Sequence, residues 1–293
     1  MIKEKIFITG ISSSIMQQLI AIINTAKYEI IGLSRKPLPQ NSENIKIIQA
    51  DIANINLYED HLKNCSLIIH AAAVTHSFNE KSYFDINYNI TKKLVEKAKE
   101  LNVTSFVYLS SNTANSDNGA YAKSKKLAEK HLQKTLGNWQ IFRISEIFGG
   151  PKNEGIEKLI QTVLKNQYTF YPKDIPSKFS PIYLNDVAKI LHENIFVNLE
   201  KNNIISINGN EHFTFKEILI LIKKIKGRPL RIIGIPKSTM FFLMTLSSKI
   251  PFFIGIIPDQ IKRLYGLKTY GNINDKYITL KLDEYIKQIL NKN

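Results

Sequence analysis

A disulfide framework, a membrane-spanning segment and a nucleic-acid-binding motif are all missing from this chain of 293 residues. Its one cysteine, Cys65, excludes disulfide bridging and points to a reducing compartment. The most apolar region, 240–257, is interrupted by Ser247, Ser248, Lys249 and Pro251, which argues against a spanning helix. That region reads instead as lobe core, as a lip over a cleft, or as a surface resting on a membrane. The amino-terminal Met-Ile-Lys-Glu-Lys leads at once into an apolar strand and lacks the architecture of a secretory leader. No internal repeat, low-complexity linker or long basic run is present, and nothing matches a nucleic-acid module. These absences predict a cytoplasmic protein without nucleic-acid partners, with membrane association as a secondary reading.

What the chain does have is positive charge, +15 net with a pI near 9.6. An acidic ligand such as a nucleotide or diphosphate, or an anionic surface, would account for it. A lysine-rich composition spreading solvated charge over the surface accounts for it equally simply. The first half alternates short apolar runs at 6–9, 30–33, 45–49, 67–70, 106–109 and 140–144 with helical patterns at 14–26, 85–101 and 121–136. Such alternation predicts an α/β fold, a doubly wound parallel sheet of Rossmann type. After Gly150 the rhythm breaks into shorter helices and strand-like pieces. Residues 1–150 are therefore expected to form the dinucleotide-binding domain, with 180–208 returning to it. Residues 151–293 are expected to be mainly a smaller, mixed substrate lobe.

Tyr121 and Lys125 stand four apart in a helical pattern, one turn from each other on one face. A lysine ammonium beside a phenol favours phenolate, letting the tyrosine exchange a proton nearer neutrality. Ser111, at the end of the 106–111 strand, can hold the same carbonyl or alcohol oxygen. Upstream, the first strand runs into Gly10, Ile11, Ser12, Ser13, Ser14, Ile15 and Met16, where free backbone N–H groups and a helix start can face a phosphate pair. A dinucleotide turn normally has three glycines. Only Gly10 is kept; Ser13 and Met16 occupy the other two places, so the helix is expected to sit further from the sheet or to bind cofactor weakly. A strand–turn–helix that binds nothing is the plain alternative. After the second strand, Ser34, Arg35 and Lys36 replace the usual acidic residue and suit a 2′-phosphate, favouring NADP over NAD. Asp51 is placed to accept from an adenine amino group, or merely to cap the next turn.

Taken in order, Thr9-Gly10, Asp51-Ile52, His70 through Ala73, Asn87 with Thr91, 106–111, Tyr121 with Lys125, 143–149, 182–188 and 280–286 resemble the extended short-chain dehydrogenase/reductase family, specifically its NAD(P)-dependent nucleotide-sugar epimerase/dehydratase branch. The resemblance implies that Tyr121 is the acid/base, Lys125 lowers its pKa and holds the nicotinamide ribose, and Ser111 binds the reacting oxygen. It implies that Ala71, Ala72 and Ala73 pass under the cofactor beside Ile52. Thr75, His76, Asn153, Lys178 and Arg263 would meet a nucleotide-sugar substrate. The expected activity is reduction or epimerisation at a carbonyl or hydroxyl carbon, C4, of a sugar of the kind used in surface polysaccharides. A homodimer through the 85–101 and 121–136 helices is also implied. Two alternatives accompany it. One is a Rossmann binding protein that has lost catalysis. The other is a dehydrogenase of a steroid-like alcohol, which the Phe241, Phe242, Phe252 and Phe253 cluster would suit. His70, Asn87 and Asp186 read as structural ties at element ends.

Overall fold

The computed structural model describes residues 3–38, 44–116, 118–151, 155–198, 200–249, 257–271 and 275–292. Seven parallel strands form the central sheet: β1 (Glu4–Thr9), β2 (Tyr28–Ser34), β3 (Ile45–Gln49), β4 (Leu67–His70), β5 (Ser105–Ser111), β6 (Trp139–Ile144) and β10 (Asn203–Ile207). Their spatial order is β10-β6-β5-β4-β1-β2-β3. The order reverses between β1 and β4, where Ile8 pairs with Ile69 and Thr9 with His70. A crevice opens at such a reversal, beyond the strand ends. The expected doubly wound parallel sheet is what the chain forms.

Alternation along the strands explains the layers. Ile6 and Ile8 face one side, where they pack with Met16 and Leu19 of α1 (Ser14–Ile20) and Val187 and Leu191 of α6 (Leu184–His192). Phe7 faces the other side, with Leu94 and Val95 of α3 (Thr91–Glu100) and Ala128 and Leu132 of α4 (Ala120–Thr135). The short α2 (Glu59–Leu62) precedes β4. Among the described residues no helix is long and apolar enough to cross a membrane.

Two expectations about helices are corrected. The first helix stops at Ile20, because Ile22 and Ile23 bond three residues back and Asn24 forms its own turn by accepting from Ala26 N–H at 3.0 Å. The expected 85–101 helix enters as a π-helical segment, Tyr83–Ile90, that continues into α3. In that segment buried Asn87 clasps both backbone groups of Val74, at 2.8 and 2.9 Å.

The remainder packs around a separate apolar core containing Phe148, Ile160, Phe179, Leu219, Ile222 and Ile286. Its helices are α5 (Gly155–Lys165), α7 (Phe215–Lys226), α8 (Lys237–Lys249), α9 (Pro258–Leu264) and α10 (Leu282–Lys292). Two small parallel pairs accompany them: β7 (Ile147–Phe148) with β9 (Ile182–Tyr183), and β8 (Tyr168–Pro172) with β11 (Arg231–Ile235). A full capping box, Thr214 with Glu217, starts α7, and Gly227 in the left-handed region ends it. Asp186, wholly buried on α6, accepts from the backbone and hydroxyl of Thr279 at 2.9 and 2.5 Å.

Candidate active site

The groove at the strand-order reversal is lined by Gly10, Ser12 and Ser13 from the β1 exit, Ser34 and Arg35 from the β2 exit, Asp51 and Ile52 after β3, and Ala71–Ala73 after β4. Only glycine fits the start of this turn. Gly10 has φ +67°, and a Cβ there would stand 2.7 Å from the Ala72 nitrogen. Ser13 caps α1, its hydroxyl accepting from Met16 N–H at 3.3 Å. Met16 is wholly buried between α1 and the sheet and does not line the groove. Its bulk is housed in the core without closing the crevice.

The other residues expected at the cofactor occupy varied surroundings. Ser14 lies beside Gly150, and Ile15 packs on the core under α1. Ser34 ties its own turn through both backbone groups of Lys36, and Arg35 and Lys36 are exposed. Asp51 accepts from Ala53 N–H at 2.8 Å and so caps a turn while lining the groove. The cradle formed by Gly10 and the small residues 71–73 fits a dinucleotide, since close backbone approach is what such a ligand requires.

Next to the groove, β5 ends at Ser111 and α4 begins at Ala120. Tyr121 is 7% exposed, and the Ser111 hydroxyl is close enough to its phenol to act on its ionisation. Burial pushes the Tyr121 phenol above its ordinary value, while Arg263 and Ser111 act against that rise and Asp259 adds to it. Tyr83 meets the Tyr121 ring edge to face, with centroids 5.9 Å apart. Lys125, one turn on, is 2% exposed. Its Nζ donates to Leu109 O at 2.8 Å and lies over the Tyr108 ring at 4.5 Å. Burial lowers its pKa to about 7, with Glu129 opposing.

A buried polar layer supports this floor. Glu129, one further turn along α4, accepts from Ser110 at 2.5 Å and from Arg143, whose Nη2 stands at 2.6 Å. His70 bridges Thr9 at 2.6 Å and Thr91 at 2.8 Å, and burial drops its pKa to about 3, so it is a neutral tie. Glu129 escaped the sequence reading; its spacing of four from Lys125 was visible, but its function as the counter-charge of Arg143 needed the β6 register.

Of the residues expected at the substrate, Thr75, His76 and Arg263 gather near Tyr121. The guanidinium of Arg263 lies 4.5 Å from the Tyr121 ring centroid and donates to Thr75 O at 3.0 Å. Thr75 Oγ1 is 2.9 Å from His76 Nδ1. Lys178 is exposed, and its charge acts on Glu217 at the start of α7. Asn153 lies outside the described residues, as do Phe252 and Phe253. Phe241 packs against Tyr265 and Phe242 is exposed. Asp259 escaped the sequence reading, although its spacing of four from Arg263 on one helix was visible.

Residues 6–195 match the family model described as the NAD dependent epimerase/dehydratase family. Solved structures share the fold. MoeE5, in complex with UDP-glucuronic acid and NAD, is 19% identical over 79% of this chain and 85% of that one, with a TM-score of 0.68. The UDP-glucuronic acid 4-epimerase from Bacillus cereus, in complex with NAD, is 17% identical over 79% and 86%, with a TM-score of 0.65. The dTDP-4-dehydrorhamnose reductase from Bacillus anthracis, in complex with NADP, is 18% identical over 82% and 86%, with a TM-score of 0.65. No curated protein sequence matches the chain.

Proposed function

This chain belongs to the NAD dependent epimerase/dehydratase family, and from that premise we propose that it is a cytoplasmic nucleotide-sugar 4-reductase, with 4-epimerisation as the second reading. The observation that carries the proposal is the meeting of Ser111 and Tyr121 beside the groove at the strand-order reversal. When bound there, a nicotinamide supplies hydride exchange at the sugar carbon. The chain's own residues do the rest. Gly10 and the Ser12–Ser13 backbone would receive the diphosphate, and Ala71–Ala73 leave room for the ligand to lie flat against the β4 exit. Ser111 orients the reacting oxygen, and Tyr121 gives or takes its proton. Lys125, with its low pKa, would meet the ribose and pass a proton toward the tyrosine.

The exposed Arg35–Lys36 edge suits a 2′-phosphate, which supports NADP and net reduction. The neighbours bound to UDP sugars or named for dTDP sugars support a nucleotide-activated sugar as substrate. A homodimer through α3 and α4 belongs to the same proposal. Nicotinamide absorbance, followed against a panel of UDP- and dTDP-linked 4-keto sugars, tests it. Tyr121→Phe should lose at least about 100-fold in turnover, the range for removing a positioned acid. Turnover like that of the wild type in this variant would remove the mechanism. Tightly retained cofactor after purification would instead favour the epimerase, whose cycle regenerates its nicotinamide in place.

A further inference from the structure

Arg263 belongs to the lobe, on α9, yet its side chain is spent at the first turn of α4. Its Nε stands 3.0 Å from Asp259 Oδ2, its Nη2 donates to Thr75 O at 3.0 Å, and its Cζ covers the Tyr121 ring at 4.5 Å. The side chain is 15% exposed, and Asp259 is wholly buried. The second carboxylate oxygen, Oδ1, accepts from Tyr121 N–H at 3.3 Å. One lobe carboxylate therefore holds both the backbone of Tyr121 and the guanidinium stacked on its ring. Gly119 permits this approach: it has φ +91°, and a Cβ there would stand 2.6 Å from Asp259 Oδ1. Asp259 Oδ2 and Arg263 Nε, both buried, have no aligned hydrogen bond, so charge and packing hold that pair together. Lys262 with Glu80 at 2.5 Å, and Asn118 with Tyr265 O at 3.5 Å, fasten the same helix nearby.

Lys125 does not take this place, because its Nζ is directed to Leu109 O and the Tyr108 ring. A guanidinium keeps its charge at every working pH, which a lysine titrating near neutrality does not. We propose that Arg263 is a positioning residue for Tyr121, a permanent cation brought by the lobe that fixes the phenol ring and favours its phenolate, with Asp259 as its anchor. The inference rests on the reading of Tyr121 as acid/base. It makes proton exchange at the sheet depend on the docking of α9. A cation on an aromatic face is favourable when desolvated, and it favours the anionic form of the phenol more than the neutral one. The groups around Tyr121 are Arg263 and Asp259 from α9, Ser111 and Tyr108 from β5 and Tyr83 from the π-helical segment, while Lys125, one turn along its own helix, directs its Nζ to Leu109 O and Tyr108. Of these, Asp259 alone is an anion, and it is the one tied to the guanidinium.

The test needs no substrate, so its failure is distinct from failure of the proposed reaction. The full chain is labelled with 13Cζ tyrosine, the Tyr121 resonance is identified from Tyr121→Phe, and the phenol is titrated by NMR. Arg263→Gln should raise the Tyr121 pKa by at least about one unit, a tenfold fall in phenolate at a given pH. Arg263→Lys should remain within about half a unit of the wild type, a rescue by charge that a packing role would not give. Arg263→Met replaces the glutamine variant if circular dichroism shows that chain unfolded. Coincident titrations of the wild type and the neutral variant would overturn the proposal. So would a lysine variant displaced as far as the neutral one, or a wild-type Tyr121 that stays protonated up to alkaline unfolding.

Discussion

Replacing Lys125 by methionine should make the cofactor-free protein more stable at neutral pH while abolishing the proposed reaction. Burial takes the Lys125 pKa from 10.5 to about 7. The difference is roughly 3.5 units at about 1.36 kcal/mol each, or on the order of 4 to 5 kcal/mol of penalty for keeping the ammonium inside. The direction follows from proton counts. Between the two values the unfolded chain holds a proton that the folded chain has released, so stability rises with pH from about 7 to about 10.5. Below about 7 both states are protonated and the whole penalty stands. Methionine removes the penalty but leaves the Leu109 carbonyl without its donor, at about 1 to 3 kcal/mol. A net gain of about 1 to 4 kcal/mol near pH 6.5 is the expected balance. Urea unfolding near pH 6.5, 8 and 9.5 should give wild-type and variant curves that converge as pH rises, since the other titrating groups are common to both chains. Curves that run parallel across that range would refute the reasoning, because they would mean that Lys125 keeps its ordinary pKa in the fold.

Met16→Ala should cost about 2 to 5 kcal/mol in the same urea assay, because the side chain is wholly buried beside Ile6, Ile8 and Leu19; a loss below about 1 kcal/mol would mean that the α1 packing is looser than described. Gly10→Ala should weaken NADPH at least about tenfold by nicotinamide fluorescence, since the added Cβ meets the Ala72 backbone, and unchanged affinity would count against the groove as the cofactor site. Arg35→Ala should weaken NADP by about tenfold or more and NAD by about twofold or less; equal losses would argue against a 2′-phosphate contact.

The sheet was legible because each strand is a short apolar run bounded by helical periodicity, and a parallel sheet buried on both faces imposes that pattern. The groove was legible for the same reason. Gly10, Arg35, Asp51 and Ala71–Ala73 follow the carboxyl ends of successive strands, and the strand order collects them at one crevice. The three-glycine comparison pointed to Met16 as the bulk to be housed between helix and sheet, and its side chain does enter the apolar layer formed by β1 and α6. The π-helical entry at Tyr83 was not legible, since nothing in its short run of residues marks a turn bonded five residues back rather than four. Least legible was the contact between Tyr121 and Asp259. They stand 138 residues apart in sequence, and nothing in either local pattern reveals a partner across the lobe boundary.

The clasp of Asp186 by Thr279 bears on how the chain is made. The helix carrying Asp186 packs against α1, yet its buried carboxylate acquires these two donors only from a residue made 93 positions later. A nascent chain arrested before Thr279 would have to bury that group without them, at several kcal/mol, or leave the helix undocked. Completion of the amino-terminal layer is thereby deferred until Thr279 has been made, and chaperones would meet an opened sheet face until then.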